Sequence, residues 1–510
     1  MKEKIAEELL YEDANPNPEY LVKSIAEQGY SLETALADLV DNSISAKADK
    51  IEILTDVIDA DNISLYITDN GEGMTAEELA SNMKFPSSSV EQKRDKSDLG
   101  RFGLGLKTAS FSQTRKFTVL SRTKNGDYSA RTWDVDYLKK TGKWRIIVNS
   151  KNDINVILNK YQKCTNNFGK QFTDFEPNTL IVWQGLYKFQ NFIEAENRGK
   201  ALIDQLDKTT REYLGIVFHR FMQRKEKPLQ IRINNWMVEY FDPFPVKNRQ
   251  DLRTLGVFER PYKGDVFRVE AFVLPSKALK EEKKHGGWVT PRRNLMDLEG
   301  LYIYRGERVI YFGGWNGLIK RQANLKLARL KVDVGNINDD ILQLNVAKSK
   351  ISIPFELNRG FLEKVADLRA EARKEYFNHG LRDVSSSKTE SKESLFNKII
   401  TSDKGAVLEL NSDYPGIKNF LNDLDMSQRK QFKMIMHMIN VSSNRLLDKH
   451  EDQEIIGVKE KDGVDLKLLI NYIKQLKKEG FDNVKIKELA FGDLGFKETN
   501  LPDEISTLLK

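Results

Sequence analysis

The chain has 510 residues, 40% of them hydrophobic and 31% charged, with 26 Phe and 17 Tyr. That length suggests about three to four domains, and that balance excludes a wholly disordered or collagen-like polymer. A single cysteine, Cys164, excludes an internal disulfide framework, and 81 basic against 75 acidic residues leave a formal charge of +6, too small to announce nucleic-acid binding by itself.

No apolar run approaches the ~20 residues that a membrane helix needs, and the opening MKEKIAEELLYEDANPNP lacks the apolar stretch of a secretory signal. A cytoplasmic protein without membrane contact is the expectation. One cysteine and five scattered histidines argue against Cys- or His-rich metal sites. No self-similar period marks a repeat fold.

The first informative segment, LETALADLVDNSISA at residues 32–46, has helical periodicity. Leu32, Leu36 and Leu39 share one face, while Asp38, Asp41, Asn42 and Ser45 form a polar stripe at spacing i, i+3, i+4, i+7. Alone, such a stripe fits a solvated helix face. ISLYIT at 63–68 alternates and predicts a half-buried strand, which stops at Asp69-Asn70-Gly71-Glu72-Gly73. Thr75 followed by Glu78 has capping-box spacing and predicts a helix directly after the turn. Asp-Asn-Gly is ordinary turn chemistry. The functional alternative is that the glycines let backbone approach a flat ligand while Asp69 accepts a hydrogen bond from an exocyclic amine.

FPSSSVEQKRDKSDL at 85–99 is polar and long enough for a mobile lid. It leads into Gly100-Arg101-Phe102-Gly103-Leu104-Gly105-Leu106-Lys107, a glycine cluster opening an apolar helix. A helix start behind glycines presents backbone N–H groups to an anion, and Lys107 adds a point charge. The order G-x-x-G-x-G is neither a P-loop nor a dinucleotide fingerprint.

Taken in order, ADLVDNS, DNGEGM, GRFGLGLK and then NTLIVW at 178–183 resemble the GHKL ATPases. That superfamily includes gyrase-type topoisomerase subunits, MutL, the ninety-kilodalton heat-shock chaperones, histidine kinases and MORC proteins. The wording GLGLKTAS looks closest to MORC-like and prokaryotic Hsp-type members. The resemblance implies an α/β sandwich (the Bergerat fold) that binds ATP with Mg²⁺. By it, Asn42 chelates the metal and Asp38 activates the attacking water. Family members more usually carry glutamate there, and aspartate is shorter by ~1.5 Å, which implies slow hydrolysis. By the same resemblance Asp69 reads the adenine amine, Gly71, Gly73 and Met74 belong to that pocket, and Thr179 supports Asp69. Residues 100–107 hold the phosphates, with Lys93, Arg94 and Lys96 in the lid nearby.

Further along, a helical stretch at 209–222, strand-like runs at 229–233 and 301–304 and a charged helix at 361–377 form a second block. LNVAKSKISIP at 344–354 resembles the transducer domain of the MutL, gyrase and MORC branch, whose lysine reaches the γ-phosphate; Lys348 is the best match and Lys350 the next. Arg305 and Arg308 flank YIYRGERVI as surface charges or as contacts to a partner, and Trp315 fits core or turn packing. VSSSKTESKES at 384–394 has linker composition, and the remainder is largely amphipathic helix, in which Met434, Met436 and Met438 fit helix packing.

The expected organisation is an N-terminal arm at 1–20, an ATP-binding domain at 21–194, a transducer-like α/β domain at 195–383, a linker at 384–394 and a helical C-terminal domain at 395–510. The leading functional expectation is an ATPase acting as an ATP-gated dimerisation switch, in DNA-related or prokaryotic defence processes, with DNA or an effector protein as partner. A chaperone acting on protein clients and a slow-turnover nucleotide scaffold are the alternatives.

Overall fold

The computed structural model describes residues 16–27, 29–84, 105–169, 172–245, 252–262, 265–281, 287–335, 355–385, 395–400 and 406–449, with a few single positions and a short helix after them. The expected lid at 85–99, residues 100–104, Lys348 and Lys350 and most of the expected arm lie outside the described residues. Two compact units divide the chain, Met1–Ala372 and Arg373–Lys510.

The first unit opens with α1 (Pro18–Ala26), α2 (Leu32–Ser45), β1 (Lys50–Asp56), β2 (Ser64–Asp69) and α3 (Ala76–Met83). There follow α4 (Gly105–Phe111), β3 (Thr114–Ser121), β4 (Ser129–Asp134), α5 (Val135–Thr141), β5 (Ile147–Val148), α6 (Lys151–Asn166) and β6 (Thr179–Leu186). Helices α7 (Tyr187–Phe192), α8 (Ala195–Gln205), α9 (Arg211–Val217) and α10 (His219–Met222) lead to β7 (Gln230–Ile233) and β8 (Trp236–Met237). A π-helical turn, Leu206–Thr210, joins α8 to α9.

These eight strands make one sheet in the order β5-β4-β3-β6-β2-β1-β7-β8. Neighbours are antiparallel except β1 and β7, which run parallel. Residues 230–237, expected in the second domain, thus complete the first sheet.

One face of the sheet packs on α2, α4 and α9 through Leu36, Val40, Ile53, Ile67, Phe117 and Trp183. Residues Ile154, Tyr161 and Cys164 of α6 cover the other face at Leu54, Tyr66, Leu120 and Val182. The strand at 63–68 is therefore buried on both faces rather than half-buried, because a helix some ninety residues later closes the side that alternation assigns to solvent. On that face Arg232 of β7 donates to Glu52 Oε1 at 2.6 and 3.0 Å, and the Tyr161 hydroxyl takes Oε2 at 2.9 Å.

The helix expected after the glycine turn forms with both halves of its capping box. Thr75 Oγ1 accepts the Glu78 N–H at 3.2 Å and Glu78 Oε2 accepts the Thr75 N–H at 2.8 Å. Thr75→Ala is expected to lower stability by about 1 kcal/mol, measured by chemical denaturation. A midpoint unchanged from wild type would mean that packing alone fixes α3.

A second sheet in the same unit contains β9 (Arg253–Tyr262), β10 (Asp265–Val273), β11 (Gly300–Arg305), β12 (Arg308–Phe312) and β13 (Ala328–Val334), ordered β12-β11-β13-β10-β9. Strand β11 is buried along its whole length, with Tyr302 and Tyr304 inside. Trp315 is buried as expected and its Nε1 donates to Glu299 Oε1 at 3.3 Å. Helix α11 (Lys277–Glu281) follows β10, and α12 (Phe355–Ser385) runs two residues into the expected linker; residues 386–394 lie outside the described residues.

The C-terminal block, expected to be mainly helical, starts with strands. Strands β14 (Phe396–Ile400) and β15 (Ala406–Leu410) pair as an antiparallel hairpin before α13 (Pro415–Asp423) and α14 (Met426–Lys449). Met434 and Met436 are buried, in keeping with helix packing, and Asn440 Oδ1 accepts the Leu410 N–H at 2.8 Å. Among the described residues no helix is long and apolar enough to cross a membrane.

Candidate functional site

Helix α2 begins at Ser31, whose hydroxyl and that of Thr34 cap each other's backbone, and from there it is wedged between the first sheet and helices α4 and α9. Its polar stripe is consequently solvated only toward its C-terminal end, where Asn42 is half-buried and Ser45 exposed. Asp38 is 5% and Asp41 1% exposed, and Ser43 is buried with them. Buried carboxylates need partners, and these come from three directions.

The Tyr30 hydroxyl donates to Asp38 Oδ2 at 2.8 Å. Burial, with Asp38 beside it, pushes the Tyr30 pKa far up, so the phenol stays a donor. Arg308, at the start of β12, donates through Nε to Asp41 Oδ1 at 2.7 Å and brings Nη2 to 3.8 Å from Asp38 Oδ1. The expectation that Arg308 is a surface charge is overturned, since it is 2% exposed, and Arg305 is 4% exposed. The hairpin read in isolation shows only two arginines, and the partner that takes in Arg308 is on a helix more than 260 residues earlier. The third neighbour is the start of α4: a Cβ on Gly105 would stand 3.9 Å from Asp38 Oδ2, so the described end of the glycine cluster borders Asp38.

One residue after the expected metal ligand, Ser43 donates to Asp69 Oδ2 at 2.8 Å, and the Gly71 N–H donates to Oδ1 at 2.9 Å. Burial raises the Asp69 pKa to about 6, against the lowering effect of those two donors. Ser43 was not among the expected site residues; its position beside Asn42 was the available signal. Thr179 pairs with Asp69 across the β2–β6 ladder, but its hydroxyl meets Ser121 at 3.0 Å, so the side-chain hydroxyl on Asp69 is that of Ser43. The Ser121 Oγ also accepts the Met74 N–H at 3.0 Å, which fixes the backbone of the expected pocket at Met74.

The two glycines of the turn are required by the fold itself. A Cβ on Gly71 would lie 2.7 Å from the Ala46 carbonyl oxygen, and one on Gly73, at φ +70°, 1.8 Å from that of Arg122. The protein's own backbone occupies both spaces. Glycine is required there so that the turn can press against the end of α2 and the end of β3, and this holds Asp69 beside α2.

Lys107 also differs from expectation. Its ammonium donates to the Asn82 and Lys84 carbonyls, both at 2.7 Å, at the C-terminal end of α3. A cation there satisfies the orphan carbonyls of a helix end. Burial pulls its pKa down to about 8. The lysine therefore ties α4 to α3, while Leu106 packs at the edge of the main core. Gly100, Arg101, Phe102, Gly103 and Leu104 lie outside the described residues, as do Lys93, Arg94 and Lys96.

Asn42 is half-buried, and its Nδ2 is buried without a hydrogen-bond partner. Amide nitrogen and oxygen exchange places by a half-turn, so this side chain can present an oxygen to a cation. Mg²⁺ takes oxygen ligands and retains waters and phosphates, and a single Asn oxygen fits that requirement. Among the described residues no group of three or more His, Cys, Asp or Glu side chains is placed to hold a metal.

Residues 30–167 match the sequence profile described as histidine kinase-, DNA gyrase B- and HSP90-like ATPase. Over 109 residues the chain is 32% identical to the MORC family CW-type zinc finger protein 3 of Mus musculus, a match spanning 21% of this chain and 11% of that protein. A crystal structure of the N-terminal domain of a DNA repair protein aligns over 71% of this chain and 99% of its own, at 16% identity and a TM-score of 0.40.

Proposed function

We propose, from the premise that residues 30–167 form a domain of the histidine kinase-, DNA gyrase B- and HSP90-like ATPase family, that this protein is a Mg-dependent ATP hydrolase whose nucleotide state acts on the second sheet. One observation carries the reading: a single stretch of α2 bears Asp38, Asn42 and Ser43, and Ser43 is bonded to the buried Asp69. Candidate base, metal ligand and amine acceptor are thereby fixed to one rigid helix.

In this reading Asp69, a desolvated carboxylate, accepts the adenine amine. Ser43 and the Gly71 N–H orient it so that one lone-pair direction stays open to the ligand. Asn42 would hold Mg²⁺, which when bound neutralises charge on the phosphate oxygens. Asp38, with Oδ2 fixed by Tyr30, accepts the proton of the attacking water at Oδ1. The phosphates are assigned to the N–H groups at the start of α4 together with residues 100–104. Lys348 reaches the γ-phosphate from the second domain and, with dimerisation of ATP-bound chains, makes the system a switch with DNA or an effector protein as partner.

A second reading, a nucleotide scaffold of slow turnover, draws support from Asp38 itself. It is shorter than the usual glutamate, and both its oxygens have neighbours, Tyr30 on one and Arg308 near the other.

The test uses the full-length chain. Calorimetry with Mg-ATP, phosphate release and sedimentation are run with and without duplex DNA at low salt. The expected result is a Kd below about 1 mM, slow release and an ATP-dependent mass increase. Absence of ATP binding overturns the reading. Binding without turnover favours the scaffold, and turnover indifferent to DNA at low salt favours a protein client.

A further inference from the structure

We infer that Arg308 is a positioning residue for hydrolysis, through which the second sheet sets the geometry of Asp38 and Asp41; the inference rests on the reading of Asp38 as the proton acceptor. Arg308 follows the two-residue turn Gly306–Glu307 and opens β12, an outer strand of the five-stranded sheet. Its side chain leaves that sheet and enters the layer of α2. Nε is 2.7 Å from Asp41 Oδ1, Nη1 donates to its neighbour's carbonyl, Val309, at 3.3 Å, and Nη2 stands 3.8 Å from Asp38 Oδ1. The Phe218 ring lies 5.7 Å from the guanidinium carbon and closes the site on the side of α9 and α10.

A guanidinium is a planar fork, so bonding one prong fixes the direction of the others. With Nε held on Asp41 and Nη1 on Val309, the guanidinium plane is fixed, and Nη2 stands at ion-pair distance from Asp38 Oδ1, 3.8 Å. The Tyr30 hydroxyl bonds the other oxygen, Oδ2. The arrangement exceeds what a staple between two layers needs, because the bond to Asp41 alone would join β12 to α2. Arg308 is 2% exposed, so water does not soften the coupling. Tyr30, before α2, and Arg308, from the other sheet and itself held by Asp41, thus both bear on where the Asp38 carboxylate sits. A displacement of β12 by ~1 Å changes that position by a comparable amount, and errors of this size cost up to ~10²-fold in catalysis. The second sheet thus has a physical means of changing turnover without touching nucleotide.

The experiment compares full-length wild type, Arg308→Lys, the double variant Arg308→Met/Asp41→Asn and Asp38→Asn. The double variant removes both members of the closest buried ion pair, so Asp41 leaves no uncompensated charge and Asp38 keeps the Tyr30 hydroxyl; the lysine keeps the charge but loses the fork. Phosphate-release kinetics in Mg-ATP give kcat and KM, calorimetry gives ADP affinity, and thermal unfolding reports folding. The expected result is a kcat at least about tenfold lower in the double variant and reduced in Arg308→Lys, with KM and ADP affinity within about threefold of wild type. Folded variants with wild-type kcat, or with ADP affinity falling in step with kcat, overturn the inference. If the double variant does not fold, Arg308→Lys decides alone on the same criteria. Asp38→Asn separates the two levels. If it hydrolyses at the wild-type rate, the reading of Asp38 fails and takes this inference with it. If it is inactive while the Arg308 variants are normal, the inference alone fails.

Discussion

Asp38→Asn is expected to lower ATP hydrolysis by two to four orders of magnitude, the range by which a positioned general base contributes, while leaving nucleotide affinity within about threefold. Asparagine has the same shape, and its Oδ1 can still accept the Tyr30 hydroxyl that now lies 2.8 Å from Asp38. What it cannot do is take a proton from water. The substitution also leaves the Asp41–Arg308 pair in place, so the fold keeps its closest ion pair at α2. Phosphate release at saturating Mg-ATP, paired with calorimetric binding, measures the effect. An unchanged rate would falsify the assignment of the base. The wild-type rate carries information as well. If the resemblance to GHKL ATPases implies glutamate at this position, the aspartate carboxylate is ~1.5 Å further from the point the longer side chain would reach, and a modest absolute rate is expected to accompany the large mutational loss.

The second large effect concerns Asp69, where stability and binding move in opposite directions. Its pKa in the folded chain is raised from 3.8 to about 6, first by burial. For an acid with a raised folded pKa, the group's favourable contribution is complete below the unfolded value and is lost as pH rises through the folded one. By pH 7.5 the ionised, ligand-free Asp69 therefore costs on the order of 3 kcal/mol, two pKa units at about 1.4 kcal/mol each. Asp69→Asn removes that cost. Its Oδ1 can accept the Gly71 N–H and its Nδ2 can donate to Ser43, whose hydroxyl turns fully to the Leu39 carbonyl it already reaches at 3.2 Å. The apo variant is expected to melt higher than wild type at pH 7.5 and to lose the wild-type decline between pH 4 and 7, as scanning calorimetry would show. Adenine nucleotide affinity should fall by roughly 10- to 150-fold, the worth of a hydrogen bond to a charged group at 1.5–3 kcal/mol. A variant that binds ATP normally would place the adenine elsewhere.

How far the sequence carried this reading depended on the distance between cause and effect along the chain. Helix α2, the strand ending at Asp69 and the Thr75–Glu78 capping box were legible because periodicity and cap spacing act within a few residues. The burial of Asp38 and Asp41 was not, because it requires Arg308 from a strand whose arginines look like surface charges until their partners are known. The two-sided burial of β2 depends on α6, and the use of Lys107 depends on where α3 ends. The hairpin of β14 and β15 was hidden for a local reason: two five-residue strands offer little period to distinguish them from the start of a helix. Gly71 and Gly73 were recognised as special, but what demands them, the approach of Ala46 and Arg122, is tertiary.

The parallel pairing of β7 with β1 also sets a timetable for synthesis. Residues 50–53 pair with residues 230–233, and Glu52 meets its arginine 180 positions later. At translation speeds of about 5–20 residues per second, roughly ten to forty seconds separate the emergence of the two strands. During that interval β1 has a vacant edge of backbone donors and acceptors, the kind that recruits foreign strands, and Glu52 has no counter-charge. Three of the four segments that resemble nucleotide motifs, DNGEGM, GRFGLGLK and NTLIVW, leave the ribosome inside this window, and the first, ADLVDNS, just before it, so the layer that would bind ATP is finished last by residues far outside them.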